Sequence, residues 1–220
     1  DRISFYSYAH VPWIKGIGQR GFKDVDIPKG DAKRKLYEMG KHMLLNLGYV
    51  ETGMDHFSLP SDALYKAFNT ANMHRNFMGY TTNQTQLMIG LGVSAISDSW
   101  YGFAQNKKSL KAYQEQIGKG NIPLLKGHLL SEEDLVIRQH ILNIMCHFKT
   151  SWKDDNLKFK DLPETLERLK ELEKDGLVVI VDDELIVPKN ARAFVRNTCM
   201  AFDLRMVKNK PDTKLFSMTI

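Results

Sequence analysis

The stretch from Met73 to Ser97, MHRNFMGYTTNQTQLMIGLGVSAIS, restricts the fold more than any other part of the chain. It is too apolar for a linker, and glycines at 79, 90 and 92 make it a poor helix. Without a Cβ, glycine lets one backbone approach another, or a ligand, closely. Phe77 and Tyr80 add flat faces, while His74 and Arg75 add hydrogen-bond donors. Short strands near 76–81 and 88–96 are expected, together forming a binding surface.

The 220 residues allow one large or two small domains, and 43% hydrophobic residues are ample for a buried core. No window approaches the run of about 18 apolar residues that a membrane helix needs. The N-terminal DRISFYSYAH lacks the basic start and apolar run of a signal peptide, so a cytoplasmic protein is expected. Cys146 and Cys199 lie in apolar periodic segments without a CxxC neighbour, which suits small hydrophobes. Two such cysteines cannot hold an iron-sulfur cluster, which takes several thiolates. The net charge of +5 comes from 31 basic and 26 acidic residues, too even a balance to identify a partner. The runs Lys33-Arg34-Lys35 and Lys107, Lys108, Lys111 suit solvated helix faces.

Residues 2 to 8 alternate as a strand does, and the abrupt opening suggests a piece of something longer. From Asp31 to Leu47, Leu36, Met39, Met43, Leu44 and Leu47 fall at helical spacing, with Asp31 as a cap and Gly48 as a stop. A strand from Tyr49 to Phe57 would complete strand, helix, strand, the pattern of a parallel crossover. A short helix over 63–72 precedes the opening segment. Beyond Ser97, a polar helix covers 109–116, and Ser131 with Asp134 makes a capping box before an apolar helix ending near Phe148. Leu162 to Asp175 is amphipathic, with Gly176 as its stop. LVVIV, an Asp182-Asp183 turn and ELIV form a hairpin, and a last helix from Lys189 buries Phe194, Val195, Cys199 and Phe202. Helix, helix, hairpin, helix is the order of a winged-helix-like α+β unit. The domains are accordingly expected at 1–105 and 106–220.

His10, His56 and His74 stand where strands of the first half are expected to end. There they form either a cluster at the carboxyl edge of a sheet or three separately satisfied histidines. No pair has close metal-ligand spacing. Asp55 and His56, as successive strand residues, point to opposite faces and make no dyad. Arg75, Arg2, Arg20 and Arg138 could each clamp a carboxylate or be ordinary surface arginines. Gly90 and Gly92 lack the third glycine of a dinucleotide fingerprint. Lys189, Arg192 and Arg196 invite a nucleic-acid reading of the last unit, but the acidic Asp182-Asp183 tip would repel phosphate.

YAHVPW, GYVETGMDHF with its LP, HRNFMGYTT, LGVSAIS, AQN and RNTCMAFD together resemble the C-terminal half of the oxygen-independent coproporphyrinogen III oxidases, a radical S-adenosylmethionine (SAM) family. The resemblance covers almost the whole chain. It implies an α/β fold: the C-terminal part of a partial (β/α)6 barrel, then a mostly helical, winged-helix-like domain covering its open end. It also implies SAM and a [4Fe-4S] cluster on a CxxxCxxC loop outside this chain, so the fragment alone should be inactive. In such enzymes reduced SAM yields a 5'-deoxyadenosyl radical, which removes hydrogen from a propionate. Carbon dioxide leaves, and two rounds give two vinyl groups and protoporphyrinogen IX.

By the same resemblance, Ala9 contacts one SAM and Ile96 another, while Phe77 and Met78 line the site. Met78 stands where a glutamine is usual and lacks its amide chemistry. His10, His74, Arg75 and Tyr80 would suit a large apolar ring bearing four carboxylates. The implied partners are a tetrapyrrole substrate and an electron donor, with no nucleic acid and no membrane, in a full-length monomer. Two rival readings are a non-catalytic tetrapyrrole-binding or haem-trafficking relative and a winged-helix nucleic-acid binder.

Overall fold

The computed structural model describes residues 1–8, 10–11, 21 and 23–209. They form two compact units, one of residues 1–66 with 204–209, the other of Ala67–Asp203.

The first unit holds β1 (Arg2–Ser4), α1 (Gly30–Asn46), β2 (Val50–Gly53), β3 (His56–Ser58) and α7 (Leu204–Lys208). The opening strand is shorter than its alternation suggests. The sheet order is β1-β3-β2, and both pairings are antiparallel. β1 and β2 therefore run the same way on either side of α1, as a crossover requires, but β3 lies between them. The expected strand over 49–57 is instead a hairpin, turned at Asp55 with φ of 59°. Every strand pair among the described residues is antiparallel, which corrects the expected parallel sheet.

α1 carries most of its helically spaced apolar residues on an exposed face. Leu36, Met39, Met43 and Leu47 form an exposed stripe, whereas Tyr37 is buried. Gly40 lies against Phe5, where an added Cβ would run into the ring. Helical spacing identified an apolar face but not whether anything in the unit covers it. The helix is preceded by Lys29 at the cap position, and Asp31 lies in its first turn without a capping hydrogen bond.

α2 (Ala63–Asn69) leads into the second unit, which opens with the hairpin β4 (His74–Asn76) and β5 (Gly79–Thr81). A four-stranded antiparallel sheet follows, β6 (Leu87–Met88), β7 (Ile96–Ser99), β8 (Gly102–Asn106) and β9 (Leu124–Leu129), in sequence order. Residues 89–95 are a loop, where a strand over 88–96 was expected. α3 (Leu110–Gly118) joins β8 to β9 and is capped by Ser109. Residue 105 thus falls inside β8, which pairs on one side with β7 and on the other with β9, so the units do not divide there.

The rest of the second unit is α4 (Glu132–His147), β10 (Lys149–Ser151), α5 (Leu162–Lys174), β11 (Val179–Val181), β12 (Glu184–Ile186) and α6 (Val195–Phe202). Ser131 and Asp134 make the expected capping box at α4. Phe148 ends that helix in the left-handed region, φ 58°, and hands the chain to β10. The core packs Ile144, Leu169, Val178, Leu185, Val195 and Phe202, all essentially buried. At its centre His140 hydrogen-bonds Thr150 Oγ1 at 2.8 Å and donates to the Leu157 carbonyl at 2.8 Å. Burial holds its pKa below the ordinary histidine value, so it is neutral in the core.

Candidate functional site

The β4–β5 hairpin turns in two residues. Asn76 pairs with Gly79, leaving Phe77 and Met78 at the tip. Gly79, with φ of 114°, takes the left-handed conformation that neither tip residue adopts. The Asn76 carboxamide accepts from the Met78 N–H at 2.8 Å, closing the turn. Met78 is 85% exposed and Phe77 53%, an unusual display for two large apolar side chains on an ordered turn.

The stem is tied down. Tyr80 is buried and donates its hydroxyl to the Met145 carbonyl of α4 at 3.0 Å. Arg75, its cross-strand partner, lies 4.6 Å over the Tyr80 ring. Its guanidinium Nη1 is buried with no hydrogen-bond partner. Tyr80 thus anchors the hairpin here, with its polar atom already committed. Arg75 also acts electrostatically on Cys146 and Cys199, but burial prevails and pushes both thiols up to about 12.

Phe77 meets Phe103 of β8 edge to face at 5.1 Å between centroids. Phe103 is opposite Asp98 on β7, and Ile96 is two residues from Asp98, hence on the same face of the sheet. The structure therefore gathers two of the expected SAM contacts, Phe77 and Ile96, on one sheet face. The loop before Ile96 is closely built. A Cβ on Gly90 would lie 2.6 Å from the Ile96 carbonyl oxygen, so only glycine fits there unshifted. Asn106 donates its amide to the carbonyls of Gly90 at 3.0 Å and Gly92 at 2.9 Å, and the Gly90 N–H donates to Ser97 Oγ at 3.0 Å. Asn106 belongs to the AQN motif, but nothing in its spacing announced this bracing role.

Arg138 of α4 supports the same face. It donates to Asp98 at 2.8 Å and to the carbonyls of Ser99 and Trp100 at 2.7 and 3.1 Å. Its guanidinium carbon is 4.9 Å from the Trp100 ring centre and 5.0 Å from that of Phe103. Arg138 is thus occupied by the protein. Arg2 is likewise paired, with Asp62 at 2.7 Å, and Arg20 lies outside the described residues.

His74, on the strand leading to the tip, lines a cavity of about 640 Å³ between α4, the 84–87 loop and residues 99–101. Burial and then the charge of Arg138 hold its pKa below the usual histidine value, despite the opposing pull of Asp98. His147, on the same cavity, is lowered by burial and then by Lys149. Of the α4 residues on this cavity, sequence reasoning singles out Arg138 but not Gln139, Asn143 or His147. Their signal was polar side chains at 139, 143 and 147, a four-residue repeat on a helix taken as apolar.

His10 is half-buried, its ring 6.0 Å from that of Tyr8 in the first unit. His56, in that unit too, donates from Nδ1 to the Met54 carbonyl at 2.8 Å and is approached by the Tyr6 hydroxyl at 3.4 Å. Asp55 instead hydrogen-bonds Tyr37, whose pKa burial raises above the ordinary tyrosine value, so Asp55 and His56 have separate partners. Ala9 lies outside the described residues. Among the described residues no cluster of three metal-ligating side chains occurs. The chain's two cysteines, buried and protonated on different helices, do not fit an iron-sulfur cluster.

No protein-family model matches the chain. It is 37% identical over 225 residues to the oxygen-independent coproporphyrinogen III oxidase of Escherichia coli, covering all of this chain and 49% of that protein. The Synechocystis oxidase of the same name is 35% identical over 229 residues, again with all of this chain and 49% of the relative covered. Among solved structures, coproporphyrinogen III oxidase from Escherichia coli, described as a radical SAM enzyme, superimposes with a TM-score of 0.86. That match has 36% identity and covers 93% of this chain and 48% of the other. Sequence and fold thus agree on a likeness to one half of that enzyme. The chain is similar along its whole length to oxygen-independent coproporphyrinogen III oxidases and spans about half the length of the relatives it matches.

Proposed function

We propose that this chain is the C-terminal portion of an enzyme that oxidatively decarboxylates two propionates of coproporphyrinogen III to vinyl groups, giving protoporphyrinogen IX. The observation that carries the reading is the hairpin tip. Phe77 and Met78 stand exposed on a turn braced from below, beside the sheet face that holds Ile96, in a chain aligned throughout with such oxidases. Exposed apolar side chains on a rigid stem make a preformed ligand surface. The Phe77 ring offers a stacking face for an adenosyl group, and Met78 offers a thioether in apolar contact where an amide would hydrogen-bond.

SAM and a [4Fe-4S] cluster would supply the radical chemistry, the cluster from thiolates other than Cys146 and Cys199. This chain's residues would bind and orient. Ala9, Ile96, Phe77 and Met78 would contact SAM, while His10, His74 and Arg75 face the substrate carboxylates. Tyr80 would keep Arg75 in place through its ring. The order β1, α1, β2 suits a barrel portion, with β3 inserted antiparallel between the two strands, and the order α4, β10, α5, β11–β12, α6 suits a winged-helix-like cover. A cytoplasmic monomer served by an electron donor fits this reading. Among the described residues no helix is long and apolar enough to cross a membrane.

The test is turnover by the full-length, cluster-loaded protein. With coproporphyrinogen III, SAM and a reductant under anaerobic conditions, protoporphyrinogen IX and carbon dioxide should form. Substrate returned unchanged by a correctly loaded protein would refute the reading.

A further inference from the structure

The cavity beside His74 has an uneven chemistry. Its lining includes two imidazoles, a guanidinium, carboxamides from Gln84, Gln86, Gln139 and Asn143, and hydroxyls, but no aspartate or glutamate. Its volume of about 640 Å³ lies within the usual range for small-molecule sites, roughly 300–1,000 Å³. Trp100 and Leu142 give it apolar walls. Neither His74 nor His147 hydrogen-bonds another described residue, so both imidazoles remain available to a ligand. We propose that this cavity is a carboxylate-binding subsite, in which His74 and His147 receive a propionate arm of the tetrapyrrole while Trp100 and Leu142 flank its apolar stem.

The proposal rests on the functional reading above for the identity of the ligand, but its chemistry stands on the lining. Arg138 is already bonded to Asp98 at 2.8 Å and to the carbonyls of Ser99 and Trp100, so its donors are committed to the protein. The attraction must come from the imidazoles. His74 faces Arg138 and Asp98, and His147 faces Lys149. Burial biases both toward the neutral form when the cavity is empty. An entering carboxylate favours the imidazolium form, so binding takes up protons. The propionates stay ionised across the window from pH 8 to 6. Affinity must therefore rise as pH falls through that window, by up to about tenfold per pH unit for each proton taken up.

The experiment measures binding of coproporphyrin III, the stable oxidised relative of the substrate, to the full-length protein by fluorescence quenching at pH 8, 7 and 6. His147→Gln and Gln86→Leu are compared with Asp182→Asn, and thermal melting checks each fold. Tighter binding at lower pH, flattened by His147→Gln and weakened by Gln86→Leu, is expected. Asp182→Asn should behave as wild type. A parallel titration with SAM separates the two carboxylate sources; a pH slope that His147→Gln removes for SAM and not for the porphyrin would overturn the assignment to propionate. Wild-type affinity and slope in both variants would also overturn it. Turnover by wild type alongside that result would leave the oxidase reading intact, whereas absent turnover with the expected pH slope would remove only that reading.

Discussion

Among the two-residue hairpins of the second unit, β11–β12 and β4–β5 treat their tips in opposite ways. At the β11–β12 tip, Asp182 and Asp183 both adopt positive φ, 49° and 59°, which aspartate tolerates in tight turns. That tip is fastened to the protein: Asp183 accepts from the Trp152 indole at 2.9 Å, and its carbonyl accepts from the Trp152 N–H at 3.0 Å. At the β4–β5 tip, Phe77 and Met78 are poor turn formers, and Gly79 carries the left-handed conformation for them. All the fastening there is in the stem, through Tyr80 and Arg75, and the tip side chains stand free apart from one aromatic contact. A hairpin that only had to fold would resemble the first. A local rule broken while the stem is rigidly held points to a ligand surface.

Substitutions can break this contrast, beginning with the support beneath the apolar tip. Arg138→Leu leaves Asp98 buried without its partner, and should cost about 3–5 kcal/mol in chemical denaturation. Asp183→Ala strands the Trp152 indole and should cost about 1–3 kcal/mol, with no effect on ligand binding. Tyr80→Phe removes one hydrogen bond to α4 and should cost about 1 kcal/mol, while loosening the tip enough to raise its amide exchange rates. Phe77→Ala loses only the edge contact with Phe103, about 0.5–1 kcal/mol. A larger loss for Phe77→Ala than for Asp183→Ala would mean that the tip serves the fold, and the contrast would fail.

The two hairpins also differ in how far the sequence disclosed them. Asp182-Asp183 between LVVIV and ELIV was legible because turn chemistry and β-branched strands agree. The Ser131–Asp134 capping box was equally plain, since it is a local signal. The site's residue types were visible in the stretch 73–97, but its arrangement depends on pairings with β8 and packing on α4, which local periodicity does not encode. Residues 88–96 alternate weakly and suggested a strand, yet the close approach of Gly90 to Ile96 and the bracing by Asn106 make them a loop. β8 and β9 escaped notice because Gly102 and Gly127 interrupt their apolar patterns, and β9 is an exposed edge strand. Helical spacing discloses the α1 stripe but not its exposure, because amphipathicity does not show what covers the apolar face.

The central claim is that the Phe77–Met78 tip contacts SAM while the Asp182–Asp183 tip does not. It is tested most directly by the SAM dissociation constant of the full-length, cluster-loaded protein, compared among wild type, Phe77→Ala and Asp182→Asn. The account predicts affinity weakened about tenfold, or about 1.4 kcal/mol, in Phe77→Ala and unchanged in Asp182→Asn. Equal affinity in all three proteins would contradict it.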